Sequence, residues 1–255
     1  MLSLANKTAM VTGASSGLGR HFAGVLADAG AYVVLAARRL DKLEEVAGEI
    51  EKRGGKALPV EMDVTSEDSV TGAFGEIREA LGRPCDVLVN NSGMSREGWY
   101  WDMDEKDWDA VIETNLTGVW RVAKHATRAM MQAGVPGSII NIASMNAYVS
   151  NRGIGGRSYE TSKAAMVQFT RATAADWAPY GITANAICPG LFMTDANVEW
   201  NKTKPEVIEQ MTSSTPMGRA GNPPELGGLI VYLASDASSY MTGASLVIDG
   251  GYTLW

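Results

Sequence analysis

Cysteine and histidine are almost missing from this 255-residue sequence, which has two of each: Cys85 and Cys188, His21 and His125. Two cysteines cannot build a disulfide framework, and neither has a second Cys or a His nearby at metal-ligand spacing, so no metal site is expected. Each histidine falls inside a helical pattern, where packing or solvent exposure accounts for it. Long apolar runs are missing too, and none reaches membrane length. The opening Met1-Leu2-Ser3-Leu4-Ala5-Asn6-Lys7 runs at once into a strand-like stretch and does not suit a signal peptide, so a cytoplasmic protein is the expectation. Basic charge is short: 22 Lys and Arg against 29 Asp and Glu give a net charge of -7. That balance argues against nucleic acid or an anionic membrane as the main partner.

What the chain does have is apolar content, 45% of its residues, enough for a substantial core, with no break in composition to suggest two units. A single domain over residues 1–255 is expected. Short runs rich in Val and Ile alternate with helical patterns: Ala9-Met10-Val11 then 17–30, Tyr32-Val33-Val34-Leu35 then 41–53, Ala57-Leu58-Pro59-Val60 then 66–81. Val87-Leu88-Val89 precedes a long helix from about 105 to 132, and Ser138-Ile139-Ile140-Asn141-Ile142 precedes a helix opened by Tyr159. Thr183-Ala184-Asn185-Ala186-Ile187 and Ser245-Leu246-Val247-Ile248 supply the last two strands. This rhythm predicts an α/β fold: a Rossmann-type, doubly wound, parallel seven-stranded sheet with helices on both faces. In such a sheet ligands bind beyond the carboxyl ends of the strands.

The chemistry-bearing residues cluster at those ends. After the first strand stands Thr12-Gly13-Ala14-Ser15-Ser16-Gly17-Leu18-Gly19-Arg20. Gly13 suits the tight turn, Gly17 a close backbone approach to a pyrophosphate and Gly19 close helix packing, while the helix N-terminus offers free N–H groups to phosphate. After the second strand the acid expected for a ribose 2′-hydroxyl is missing, and Arg38-Arg39 stands there instead. Two arginines with the Ser15 hydroxyl can clamp a 2′-phosphate, which points to NADP(H), with NAD(H) possible. Beyond the third strand, Met62-Asp63-Val64 offers an acceptor for an adenine amino group, followed by an N-cap at Thr65 or Ser66. After the fourth come Asn90-Asn91-Ser92-Gly93, small and polar, where a cofactor can pass or the chain simply turns.

Asn115 interrupts the long helix as a poor helix former with Gly118 three residues on, and predicts a local backbone irregularity. Trp99-Tyr100-Trp101 leads into carboxylates that a helix N-terminus favours without any ligand; the aromatics either line a substrate mouth or pack on a partner. After the fifth strand come Ser144-Met145-Asn146 and then a flexible stretch from Asn151 to Arg157. After the sixth, Cys188-Pro189-Gly190-Leu191-Phe192-Met193-Thr194 bends the chain into a segment at about 191–222, whose length suits a lid. Arg152 and Arg157 read as a solvated pair, and Cys188 as a small buried hydrophobe.

Tyr159 and Lys163 are four apart on a helix and therefore neighbours. At an effective dielectric of about 20, an ammonium ~4 Å from a phenolate contributes on the order of 4 kcal/mol, an upper limit of roughly 3 pKa units. A phenol lowered in that way can exchange protons near neutral pH.

Taken together, Thr12-Gly13-x-x-x-Gly17-x-Gly19, Asn90-Asn91-Ser92-Gly93, Asn115, Ser144, Tyr159-x-x-x-Lys163, Pro189-Gly190-x-x-x-Thr194 and the ending Met241 to Gly251 resemble the classical short-chain dehydrogenase/reductases over essentially the whole chain. Ser92 stands where these enzymes usually have alanine, and the interval from Ser144 to Tyr159 is slightly long. The resemblance implies a hydride moved between a nicotinamide and a carbonyl or carbinol carbon, with Tyr159 exchanging the oxygen's proton. It further implies that Ser144 bonds the substrate oxygen, Lys163 lowers the Tyr159 pKa and holds the nicotinamide ribose, and Asn115 anchors a water of a proton relay. Pro189, Gly190, Leu191 and Thr194 should border the nicotinamide, while Asn90, Ser92 and Gly93 line the cofactor's path beside Ser16, Leu18 and Val64. Met145, Asn146 and Phe192 should face the substrate, a 3-oxoacyl thioester or small ketone first, a sugar acid or steroid-like alcohol otherwise. A non-catalytic nucleotide-binding regulator is the contrasting expectation. The family's habit implies a homotetramer, with the apolar tail Tyr252-Thr253-Leu254-Trp255 packed on a neighbouring subunit.

Overall fold

A computed structural model of the protein describes residues 2–254, leaving Trp255 of the apolar tail outside the described residues. In chain order the elements are β1 (Thr8–Thr12), α1 (Gly17–Asp28), β2 (Tyr32–Ala37), α2 (Leu40–Lys52), β3 (Lys56–Glu61), α3 (Glu67–Leu81) and β4 (Val87–Asn90). Then follow α4 (Glu105–Ile112), a π-helical turn (Glu113–Thr117), α5 (Gly118–Ala133), β5 (Gly137–Ile142), α6 (Arg157–Trp177), β6 (Ile182–Pro189), α7 (Asp195–Thr203), α8 (Pro205–Ser213), α9 (Gly227–Ala234) and β7 (Ser245–Ile248). The seven strands are parallel and ordered β3-β2-β1-β4-β5-β6-β7.

Successive strand residues point to opposite faces, and the Val- and Ile-rich runs fill both. Val11, Val33, Leu35, Val89 and Ile140 pack with Phe22 and Leu26 of α1, Leu43 and Ile50 of α2, and Ile230 and Leu233 of α9. Met10, Val34, Leu88 and Ile139 face the other way, onto Val70 and Ile77 of α3, Val122 and Met130 of α5, and Ala174 of α6. Helix ends follow local chemistry. The Ser66 side chain accepts from the Ser69 N–H at 3.2 Å at the start of α3, and Gly82 ends that helix in the left-handed conformation, with φ +65.

Three features of these elements have physical causes. The helix expected from 105 to 132 is broken by the π-helical turn, in which the Gly118 N–H bonds back to the Glu113 carbonyl. Asn115 sits in that turn, fully buried. The segment after β6 carries two helices, with Pro205 opening the second. Helix α9 was not expected: its GGLIVYLA sequence is apolar throughout and has no polar face from which a helical period could be read.

Candidate active site

A cavity of about 780 Å³ opens at the carboxyl ends of the strands, lined on one side by Gly17 and Leu18 and at its centre by Ser144, Tyr159 and Lys163. Its floor is a tight turn. Gly13 and Gly17 hold φ of +66 and +56, and a Cβ at Gly19 would meet the Gly13 carbonyl oxygen at 2.3 Å, so the loop folds flat onto α1 only with glycine there. Ser16 precedes α1 without a side-chain cap, which leaves first-turn N–H groups free for an anion. Asn91, missed by sequence reasoning, braces this floor. Its side-chain amide donates to the Thr12 and Gly13 carbonyls at 3.0 and 3.4 Å, while the Asn91 and Ser92 N–H groups both donate to Thr12 Oγ1 at 3.0 Å. The paired asparagines after β4 were the available signal.

At the loop's outer end Arg39 Nη2 donates to Ser15 Oγ at 3.0 Å and approaches Ser16 Oγ at 3.4 Å. A guanidinium held among hydroxyls is a donor set that fits a phosphate ester. The glycine turn, free helix N–H groups and Arg39 cluster thus fit a nicotinamide dinucleotide. Arg38 is exposed beside it. Asp63 lies at the sheet's carboxyl end but spends Oδ1 on Thr65, accepting from its N–H at 2.9 Å and its hydroxyl at 2.7 Å. Val64 packs on α5, within 2.9 Å of where a Gly118 Cβ would stand.

Asn90 departs most from its expected place. Its side chain is 1% exposed and turned into the core, where Nδ2 donates to Asn141 Oδ1 at 2.9 Å, and Asn141 Nδ2 donates to Thr170 Oγ1 at 2.9 Å. It ties β4 to β5 and α6, because a strand's alternation turns consecutive residues to opposite faces. Gly93, next along, does line the cavity. A Cβ there would stand 3.5 Å from Asn115 Oδ1 and 3.7 Å from Lys163 Nζ.

Asn115, Ser144, Tyr159 and Lys163 come from three stretches of chain into one neighbourhood. The Asn115 side chain clamps the residue after Gly93: Oδ1 accepts from the Met94 N–H at 2.8 Å and Nδ2 donates to the Met94 carbonyl at 2.9 Å. Nδ2 also donates to Ser162 Oγ at 3.0 Å, and Ser162 Oγ donates to the Tyr159 carbonyl at 2.7 Å. Ser162 was not singled out in the sequence. The run of small polar residues Ser158, Thr161 and Ser162 around Tyr159 and Lys163 was the only signal; in the structure Ser158, Glu160, Ser162 and Lys163 are all buried in the first two turns of α6. Lys163 Nζ donates to the Ile142 carbonyl at 2.6 Å, fixing α6 against the end of β5, two residues before Ser144. Ser144 Oγ accepts from the Asn146 N–H at 3.1 Å and is buried.

Electrostatically the pair differs from the sequence expectation. Burial raises the Tyr159 phenol above its ordinary value, and the Ser144 hydroxyl beside it draws it only part of the way back. Lys163 Nζ lies 5.5 Å from the Tyr159 ring centroid, and burial lowers the ammonium to about 8. In this desolvated corner burial is the largest influence on the phenol and holds it in its protonated form at neutral pH. Cys188, fully buried, has its thiol pushed up by burial.

Phe192, Met145 and Asn146 line the same cavity, as do Pro189, Gly190, Leu191 and Thr194. Phe192 lies flat on Gly221, where a Cβ would meet the ring at 2.5 Å, and Thr194 opens α7 by accepting from the Asn197 N–H at 3.4 Å. Trp200 and Met211 close the cavity from α7 and α8. Trp99, Tyr100 and Trp101 do not line it. Trp99 and Trp101 stack 5.3 Å apart with Arg157 over Trp99 at 5.1 Å, and Trp101 is 79% exposed. Arg157 is no solvated residue: it is bound to Glu160 in a largely buried ion pair. Among the described residues no cluster of three or more His, Cys, Asp or Glu could hold a metal ion, and no helix is long and apolar enough to cross a membrane.

Residues 13–253 match the family described as enoyl-(acyl carrier protein) reductase. The chain is 38% identical over 247 residues to a galactitol 2-dehydrogenase (L-tagatose-forming) of Cereibacter sphaeroides, covering 97% of this chain and 95% of that protein. Among solved structures it resembles a short-chain type dehydrogenase/reductase from Mycobacterium marinum, with 42% identity and TM-score 0.94 over 99% of this chain and 97% of that one. It also resembles a gluconate 5-dehydrogenase from Burkholderia cenocepacia in complex with NADP and tartrate, with 34% identity and TM-score 0.93 over 100% and 98% of the two chains. With matches along nearly its full length, a parallel sheet of this order and the glycine turn in place, the chain belongs to the classical short-chain dehydrogenase/reductases, a family of oxidoreductases.

Proposed function

We propose that the protein is an NADP(H)-dependent reductase of ketones and dehydrogenase of secondary alcohols, a single catalytic domain with 191–222 as its lid. The observation that carries this reading is the convergence of Tyr159, Ser144 and Lys163 in one cavity that runs on to the glycine turn. The Arg39 contact with Ser15 supports the phosphorylated cofactor, as does the NADP bound by the Burkholderia relative. When bound, NADP(H) supplies or accepts the hydride. The chain's own residues handle the oxygen. Ser144 donates to the substrate oxygen, and Tyr159, protonated at neutral pH, delivers its phenolic proton there during reduction. In oxidation the proton returns to Tyr159. Lys163 stabilises the phenolate left behind, and Asn115 holds its π-helical turn beside Lys163, where a water can carry the proton on to solvent.

A compact ketone or 3-oxoacyl substrate is the starting expectation. Asn146, Asn151, Asn197 and Arg96 in the cavity wall favour a second reading, a polyhydroxy acid, because amides and a guanidinium match hydroxyls and a carboxylate. A homotetramer goes with the family. Two free, buried thiols suit a reducing cytoplasm. The test is turnover of a panel of ketones and alcohols followed at the nicotinamide absorbance with both cofactors. Tyr159→Phe should lower kcat on the order of 10²–10⁴-fold while NADPH still binds. Unchanged turnover in that variant refutes the mechanism.

A further inference from the structure

Next to Tyr159 on α6 stands Glu160, a carboxylate that the proposed reaction does not use and that is only 8% exposed. A buried carboxylate is costly unless donors meet its oxygens. Here Arg157 Nη1 donates to both oxygens at 2.7 Å, Ser150 Oγ donates to Oε2 at 2.8 Å and the Asn151 N–H donates to Oε1 at 3.1 Å. Arg157 Nη2 also donates to the Asn151 carbonyl at 3.3 Å. The ion pair therefore grips both backbone groups of one residue.

That residue faces the substrate space. Asn151 Oδ1 accepts from the Tyr252 hydroxyl at 3.1 Å, and its Nδ2 reaches Asn146 Oδ1 at 3.5 Å. Asn146 in turn donates its N–H to Ser144 Oγ. A line of contacts thus runs from Glu160 through Asn151 and Asn146 to Ser144, and all four line the cavity. The loop it crosses turns on two glycines. Gly153 and Gly156 hold φ of +74 and +135, and its other ties are a bond from the Gly156 N–H to the Gly98 carbonyl at 3.0 Å and one from Gln210 Nε2 to the Arg152 carbonyl at 2.7 Å.

We propose that the Glu160–Arg157 pair is a positioning device that sets one wall of the substrate pocket, Asn146 and Asn151, at a fixed distance from Tyr159. Glu160 follows Tyr159 directly, so one helical turn fixes both the proton donor and the anchor of that wall. The pair acts on substrate fit and not on proton transfer, and it rests on the reaction proposed above.

The test compares E160Q, R157M and the E160Q/R157M double variant with the wild-type protein. R157M leaves a buried carboxylate unpaired and is the variant that most endangers folding. The double variant removes both charges at nearly constant volume and so keeps the fold. Two measurements are made: hydrogen exchange of residues 148–157, and kinetics of NADPH-dependent reduction with 5-ketogluconate as the probe. In the double variant, exchange in 148–157 should rise about tenfold or more while β5 is unchanged. KM should rise about tenfold with kcat held within about threefold. Because the two residues act as one unit, the double variant should cost no more in KM than the worse single one. Unchanged exchange in the double variant overturns the proposal, and so does a fall in kcat at constant KM. If the wild-type protein reduces neither 5-ketogluconate nor any ketone of the panel, the proposed reaction fails, and exchange at 148–157 alone decides the role of the pair.

Discussion

At the scale of single residues, burial sets the protonation of the site more than charge does. Lys163 is lowered to about 8 from the ordinary lysine value of 10.5 because it is desolvated. Between those values the unfolded chain binds a proton that the folded chain does not, so the stability penalty from Lys163 is full below about pH 8 and is relieved as pH rises toward the unfolded value. Lys163→Met should remove this rise of stability between about pH 8 and 10.5 while abolishing turnover, read by calorimetry across that pH range and by steady-state kinetics. The same titration predicts that kcat/KM for ketone reduction is level at lower pH and falls as pH passes about 8, where Lys163 loses its charge. A profile flat to pH 10 would contradict it. Cofactor choice is also a residue-scale matter. Arg39, not Arg38, touches Ser15 and Ser16, so Arg39→Leu should raise KM for NADPH roughly 10- to 100-fold and leave that for NADH within about threefold, the loss of one charge-assisted contact. Equal effects on both cofactors would remove the 2′-phosphate clamp.

At the scale of elements, the π-helical turn does the most for the site, since it lets the fully buried Asn115 hold Met94 and Ser162 at once. Asn115→Ala strands the Met94 N–H and carbonyl groups, and we expect a loss of about 2–4 kcal/mol in denaturant unfolding together with at least a tenfold fall in kcat. The irregularity itself was legible, because an asparagine with Gly118 three residues on is a poor stretch of helix. The strands were legible as well: Val- and Ile-rich runs buried on both faces have few other uses. Asn90 was misread because sequence gives the end of a strand but not which face its last residue takes. Arg157 and Glu160 were hidden for a similar reason, since an i, i+3 charge pair reads as a solvated surface feature until the loop folded over it is known. The phenol was misjudged because the arithmetic of two charges leaves out the desolvation of both.

At the scale of the whole molecule, β7 forms an edge of the sheet and carries exposed apolar groups near it. Val247 is 39% exposed, Leu254 75% and Tyr240 fully so. Surface of that kind suits association with further copies. Light scattering should give about four times the 27.2 kDa chain mass, and a monomer mass would remove the tetramer. One feature of the cofactor floor reaches across the whole chain. The glycine turn after β1 takes its shape from Asn91 and Ser92, which lie 79 and 80 residues beyond the Thr12 that binds them. During synthesis the turn leaves the ribosome long before its brace exists, so the first two strands and α1 cannot hold a nucleotide by themselves. Binding competence arrives in one step when β4 docks on β1, and any ligand that stabilises the fold does so only after that long-range pairing.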